Sequence, residues 1–192
     1  MDSISELAPV VAAKLMLQLD RPYVLLGHSL GALIAFEVAR TIRRAGKSGP
    51  RHLFVAASAA PQLPWPDSPI RDLSDLELLR AVSHRYGSIP RQVFDVPELQ
   101  QLILPKLRAD FAMVETYRYS DDAPLDCAIS AFAGDQDATL PLATIDAWRH
   151  QTLGRFRMER FAADHSILTA IRRQLLQSLS DELRERSFAG SA

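Results

Sequence analysis

The chain has 192 residues, 47% hydrophobic and 23% charged, with 22 Lys and Arg against 23 Asp and Glu and a formal net charge of -1. These proportions describe one soluble globular domain and exclude a disordered, collagen-like or membrane-spanning chain. Nucleic acid is also excluded as the main partner, because phosphate binding needs clustered Lys and Arg to displace counterions.

Ser3 and Glu6 have capping-box spacing, and Ile4, Leu7, Ala8, Val11, Ala12, Leu15 and Leu19 follow at helical period, so an amphipathic helix is predicted up to the stop at Pro22. Tyr23-Val24-Leu25-Leu26 is a short apolar run of the kind buried on both faces in a parallel sheet. Gly27-His28-Ser29-Leu30-Gly31 follows at once. Ala32, Leu33, Phe36, Ala39 and Ile42 then mark a helix that runs to Gly46.

A second strand is predicted over His52 to Ser58, followed by a passage rich in proline. Ser74 and Glu77 open a helix with Leu76, Leu79 and Val82 on one face and a stop near Gly87. Pro97 to Tyr119 also reads as helical, with a break or restart expected at Pro105 because proline removes a donor and crowds the preceding turn. A third strand over Leu125 to Phe132, a helix over Pro141 to Thr152 and a fourth strand over Phe156 to Phe161 come next. A last helix carries Ile167, Leu168, Ile171, Leu175, Leu179 and Leu183 on its buried stripe. The alternation predicts an α/β fold with a mostly parallel sheet, a single domain over residues 1–192, and a helical insertion over about residues 61–119.

Cys127 is the single cysteine, so no internal disulfide or cysteine metal cluster can form. The first six residues do not resemble a signal peptide, and a cytoplasmic protein is expected. His28, His52, His84, His150 and His165 lack metal-ligand spacing, so neither a metal nor another cofactor is expected.

Gly-x-Ser-x-Gly between an apolar strand and an amphipathic helix has a mechanical meaning. The serine occupies a strained turn, and the flanking glycines let strand and helix backbones pass closely. Serine is a weak nucleophile at neutral pH and needs an imidazole to take its proton and a carboxylate to orient that imidazole. In this arrangement the order is serine, acid, histidine, with the last two in loops after later strands. Asp137, in Gly134-Asp135-Gln136-Asp137, and His165 stand where that order requires them. Asp135 competes with Asp137, which is favoured because it has reached the loop proper. His84 and His150 belong to helices, His52 begins a strand at the opposite end of the sheet, and His28 is expected to shape the turn. Ser58 lacks flanking glycines and reads as a loop hydrogen-bonding residue.

Residues 22–37 (PYVLLGHSLGALIAFE), 107–119 (LRADFAMVETYRY), Leu125, 132–137 (FAGDQD), Trp148 and His165 together resemble the type II thioesterases that accompany nonribosomal peptide and polyketide synthetases. That resemblance implies an α/β-hydrolase fold in which the helical insertion is a lid. It also implies hydrolysis of an acyl thioester held on the phosphopantetheine arm of an acyl or peptidyl carrier protein, which would be the partner. Carried over by position, Ser29 is the nucleophile, Asp137 the acid and His165 the base, and the backbone N–H of Leu30 serves the oxyanion. Leu102, Leu107, Phe111 and Val114 on the lid would line an acyl channel, although packing alone produces the same stripe.

A complete hydrolase places its other oxyanion donor upstream of the elbow, whereas only 26 residues precede Gly27 here. The chain is therefore expected to be an N-terminally truncated hydrolase, with the nucleophile strand left as an edge. Weak activity on its own and a tendency to associate follow from that expectation. Two alternatives use the same residues differently: a carboxylesterase acting on oxygen esters, and a catalytically impaired module that docks carrier proteins.

Overall fold

Residues 3–65, 68–170 and 172–188 are described by the computed structural model. The Ser3 hydroxyl accepts a hydrogen bond from the Glu6 N–H at 3.3 Å and caps α1 (Ile4–Met16), which ends well before the expected Pro22 stop. Ile4, Ala8 and Ala12 form its buried face. That face packs on the next helix, where Val38 and Ile42 meet Ala8 and Ala12.

β1 (Val24–His28) passes through Ser29 into α2 (Leu30–Arg44), and Gly46 follows in the left-handed region at φ 69°. β2 (His52–Ala56) is fully buried. Ser74 and Glu77 complete their capping box on α3 (Asp75–Tyr86), and Gly87 ends that helix with φ 60°. Its buried face is Leu78, Leu79 and Val82; Leu76, expected on that face, is 44% exposed. A short α4 (Gln92–Asp95) precedes α5 (Pro97–Thr116).

α5 does not break at Pro105, which corrects the expectation. The proline ring is on an exposed position, and Leu104, Phe111 and Val114 anchor the helix on both sides of it. Packing thus outweighs one missing hydrogen bond. Pro97 fits the first turn, where a missing N–H has no intrahelical partner.

β3 (Ala128–Gly134) starts later and runs further than predicted, and Leu125 makes only an isolated bridge to Thr152. α6 (Leu142–Asp146) continues as a 3-10 turn over Ala147–Gln151, so the predicted single helix is two pieces, with Pro141 just outside the first turn. β4 (Phe156–Phe161) matches its predicted span. α7 (Ile167–Ala170) and α8 (Arg172–Phe188) close the described chain; the expected stripe residue Ile171 lies outside the described residues.

The four strands form one parallel sheet in the order β1-β2-β3-β4, with Val24 opposite His52 and His52 opposite Ala128. Phe36, Phe54, Phe132, Ile129 and Trp148 are fully buried in the main core around it. The segment between β2 and β3 carries α3 to α5 and a separate apolar cluster of Ile70, Leu78, Leu79, Val82, Val93, Leu104 and Phe111. Because all strands run the same way, the turns after β1, β2, β3 and β4 gather at one edge of the sheet. β1 is the outer strand of the described sheet, and Leu26 on it is 43% exposed.

Candidate active site

Ser29 alone joins β1 to α2, with φ 53° and ψ -124°, a backbone state that costs free energy for a residue with a side chain. Its N–H donates to Ala56 O at 2.8 Å, which holds the turn against β2. A Cβ on Gly27 would overlap the backbone of Gly31 and Ala32, so Gly27 allows the close pass of helix over strand. Gly31 meets no such obstacle, and the expectation that both glycines serve close passage holds for Gly27 only. Leu30 is the first residue of α2, a position where the backbone N–H has no intrahelical acceptor.

His165, between β4 and α7, meets Ser29 Oγ through Nε2 at 3.1 Å. Its Nδ1 lies 2.8 Å from Asp137 Oδ2. A neutral His165 protonated at Nδ1 donates to the carboxylate there and accepts the serine hydroxyl proton at Nε2. The Asp137 side chain is 1% exposed, and its Oδ1 accepts from the Thr139 hydroxyl at 2.6 Å and the Thr139 N–H at 2.9 Å. Burial alone would raise the Asp137 carboxyl, but bonds from His165 and Thr139 outweigh it and hold the group below the ordinary carboxylate range.

The rivals are engaged elsewhere. Asp135 forms an ion pair with Arg160 at 2.7 Å. His52 is buried at the other end of the sheet, 2.9 Å from Ser130 Oγ and stacked on Phe54. Ser58 presents its carbonyl to Trp148 Nε1 at 2.9 Å, as suits a loop residue. His84 sits in α3 and His150 in the 3-10 turn. His28 does more than shape the turn, since its Nε2 meets His165 O at 2.8 Å.

Tyr86, the last residue of α3, packs its ring 4.7 Å from that of His165. Tyr86, Trp65 and Leu140 help enclose the crevice over Ser29, which has a volume of 10 Å³, about the space one water needs. Leu33, Ser58, Ala59 and Trp65 are shared with an adjoining cavity of 540 Å³. Val114 reaches that cavity from α5. The other expected channel residues do not line it: Leu102 is 59% exposed, and Leu107 and Phe111 pack in the cluster of the insertion itself. Amphipathic period marks which face of α5 is covered without saying by what, and here the cover comes from the rest of the insertion, α3 and α4 included. Thr139, Tyr86 and Trp65 carry no motif that sequence reading could have singled out.

A parallel sheet whose strand ends collect an elbow serine, a histidine and a buried aspartate defines an α/β hydrolase. Within that class the chain belongs to the thioesterase family, whose thioesterase-domain model matches residues 1–183. It is 37% identical over 177 residues to linear gramicidin dehydrogenase LgrE of Brevibacillus parabrevis, covering 91% of this chain and 67% of LgrE. Similarity to gramicidin S biosynthesis protein GrsT of Aneurinibacillus migulanus is 34% over 182 residues, covering 95% of this chain and 71% of GrsT. The solved RedJ thioesterase of the prodiginine biosynthetic pathway in Streptomyces coelicolor superposes with a TM-score of 0.85 at 36% identity, over 94% of this chain and 72% of RedJ.

Proposed function

We propose that this chain hydrolyses acyl thioesters carried on the phosphopantetheine arm of an acyl or peptidyl carrier protein, as an editing enzyme of nonribosomal peptide or polyketide synthesis. The continuous hydrogen-bonded path from Ser29 Oγ through His165 to Asp137 carries this reading. Ser29 Oγ attacks the thioester carbonyl while His165 Nε2 takes its proton, and Asp137 stabilises the imidazolium that forms. The developing oxyanion is met by the Leu30 N–H. Collapse breaks the C–S bond, His165 returns the proton to the leaving sulfur, and water then releases the acyl group through the same relay.

The serine relay would serve an oxygen ester equally well. Family membership favours the thioester, and the biosynthetic settings in the names of GrsT and RedJ favour a carrier-bound one. LgrE is named a dehydrogenase, but the grouped residues here form an acid–base relay for acyl transfer. No described helix is long and apolar enough to cross a membrane, and the reading places the protein with its carrier partner in the cytoplasm.

The test is turnover of a short acyl-S-pantetheine beside the matching oxygen ester, with Ser29→Ala as control. Preferential thioester cleavage that disappears in Ser29→Ala is expected. Preference for the oxygen ester would make the protein a carboxylesterase. Failure of a fluorophosphonate probe to label Ser29, with carrier binding retained, would make it a docking module.

A further inference from the structure

His28 is the residue between Gly27 and the nucleophile, and its ring crosses from β1 to the loop that holds His165. Nε2 lies 2.8 Å from the carbonyl oxygen of His165, and the two rings are 5.4 Å apart at 60°. A carbonyl oxygen can only accept, so the proton of a neutral His28 is on Nε2 and Nδ1 is bare. We infer that His28 is a positioning residue that braces His165 against the elbow through this Nε2–H bond and so sets the distance between Ser29 and His165. The inference rests on Ser29 and His165 being the reacting pair.

The two ends of the brace differ in stiffness. His28 closes β1, paired with Ala56 in the sheet, and its neighbour Ser29 is bonded to Ala56 O. The donor therefore starts from fixed backbone. His165 instead lies in a turn between β4 and α7. That turn is fastened on its β3 side, where Gln136 N donates to Ala163 O at 3.0 Å and Gly134 leaves no room for a Cβ beneath the Ala163 and Asp164 carbonyls. Within the turn Asp164 bonds the Ser166 N–H at 2.8 Å. His28 supplies the fastening on the β1 side, the side that carries the nucleophile.

Nucleophile and brace are thus adjacent residues, and base and acceptor belong to the same residue. Any shift of the His165 turn away from Ser29 stretches the brace first. Burial lowers the His28 pKa ahead of the opposing pull of the His165 carbonyl, which keeps the ring neutral. A neutral ring beside His165 adds no repulsion when His165 takes the serine proton.

The experiment uses the whole chain and measures the rate at which a fluorophosphonate probe labels Ser29 in wild type, His28→Leu and His28→Gln, with melting temperature and ring ¹⁵N shifts alongside. Leucine removes the donor and is expected to slow labelling by up to about 100-fold, since a base displaced by an ångström loses that much. Glutamine places an N–H near the same point and is expected to recover most of the rate, a rescue that bulk packing would not produce. The ¹⁵N shifts are expected to report His28 protonated at Nε2. Labelling of His28→Leu at the wild-type rate, or His28 protonated at Nδ1, overturns the inference. Wild type that fails to label overturns the Ser29–His165 reading instead, and the ¹⁵N shifts then still decide the brace. If His28→Leu does not fold, a His28→Gln variant that folds but labels no faster than a Ser29→Ala background overturns it too.

Discussion

Asp135 and Asp137 stand two residues apart in one loop and are committed to opposite tasks: Asp137 faces inward to His165 Nδ1 at 2.8 Å, while Asp135 faces outward to Arg160 at 2.7 Å. The outer pair is half exposed and is worth at most about 1 kcal/mol. In the proposed mechanism the inner carboxylate orients the base and fixes its tautomer. Asp137→Asn is therefore expected to lower the acylation rate of Ser29 by about 10³–10⁴-fold. Asp135→Asn should stay within about a few-fold of wild type, because screened surface pairs contribute little. Equal losses in the two variants, measured by probe labelling, would reverse the assignment.

A second consequence of the inner position is a dependence of stability on pH. The folded Asp137 carboxyl is held below its unfolded value, so the unfolded chain binds the proton more readily. Its contribution is present above the unfolded value and is lost as pH falls through the folded one. Urea unfolding between about pH 3 and pH 5 should show wild type losing stability on acidification more steeply than Asp137→Asn. Parallel curves would remove Asp137 as a source of the slope.

The two elbow glycines should respond differently to alanine. At Gly27 the new methyl group meets backbone atoms that cannot rotate away. Gly27→Ala is expected to destabilise by about 1–3 kcal/mol or more and to misplace Ser29. Gly31 has open space and lies in the first turn of α2, so Gly31→Ala is expected to be neutral or to stabilise by up to about 1 kcal/mol. Thermal melts of the two variants check both signs.

What could be read from the sequence divides by the range of the interaction. The elbow, the Ser74–Glu77 capping box, the Ser3 cap, and an acid and a histidine following later strands are local patterns, and each lies where its spacing places it, although at Ser3 only half of the expected box forms. The helix through Pro105 is not legible, because the contacts that carry it past the proline come from other parts of the insertion, Ile70, α3 and α4. β3 starts at Ala128 and not at Leu125, which has the character of a strand residue but finds only a bridge to Thr152. The lining of the cavity escaped for a similar reason: Trp65 and Tyr86 reach the crevice from separate segments of the insertion, and no spacing records that meeting.

Arg40 is 1% exposed yet charged, and its surroundings explain why it is tolerated. It donates to Glu37 at 2.7 Å and to Ser120 O at 2.5 Å, with its guanidinium 5.3 Å from the Phe36 ring centre and 5.2 Å from that of Tyr119. Glu37 also accepts from the Tyr117 hydroxyl at 2.8 Å, and burial followed by that carboxylate pushes the phenol pKa upward. The group ties the nucleophile helix to the segment leaving α5. Arg40→Leu removes the cationic partner of Glu37, leaving it the Tyr117 hydroxyl alone, and is expected to cost about 3–5 kcal/mol. Arg40→Lys should recover little, because an ammonium can neither fork between the two acceptors nor stack on the rings as a plane. Chemical denaturation of both variants tests this, and a lysine variant as stable as wild type would contradict it.

Tyr86 stands between the His165 ring and the rest of the insertion, on the wall of the crevice over Ser29. Its ring packs on His165 on one side and lies 6.2 Å from Phe111 on the other, and the crevice beneath it has room for about one water. The crevice over Ser29, walled in part by Tyr86 and Trp65, is narrow where it adjoins the 540 Å³ cavity, so the size of the acyl group that reaches Ser29 is expected to depend on these two rings. Tyr86→Ala should therefore favour bulky acyl groups over acetyl, with kcat/KM for the larger substrate rising by about 3- to 10-fold relative to the smaller one. Because the ring also packs on His165, the absolute rate with acetyl is expected to fall. A uniform loss across acyl sizes would show that Tyr86 supports the histidine without gating its substrate.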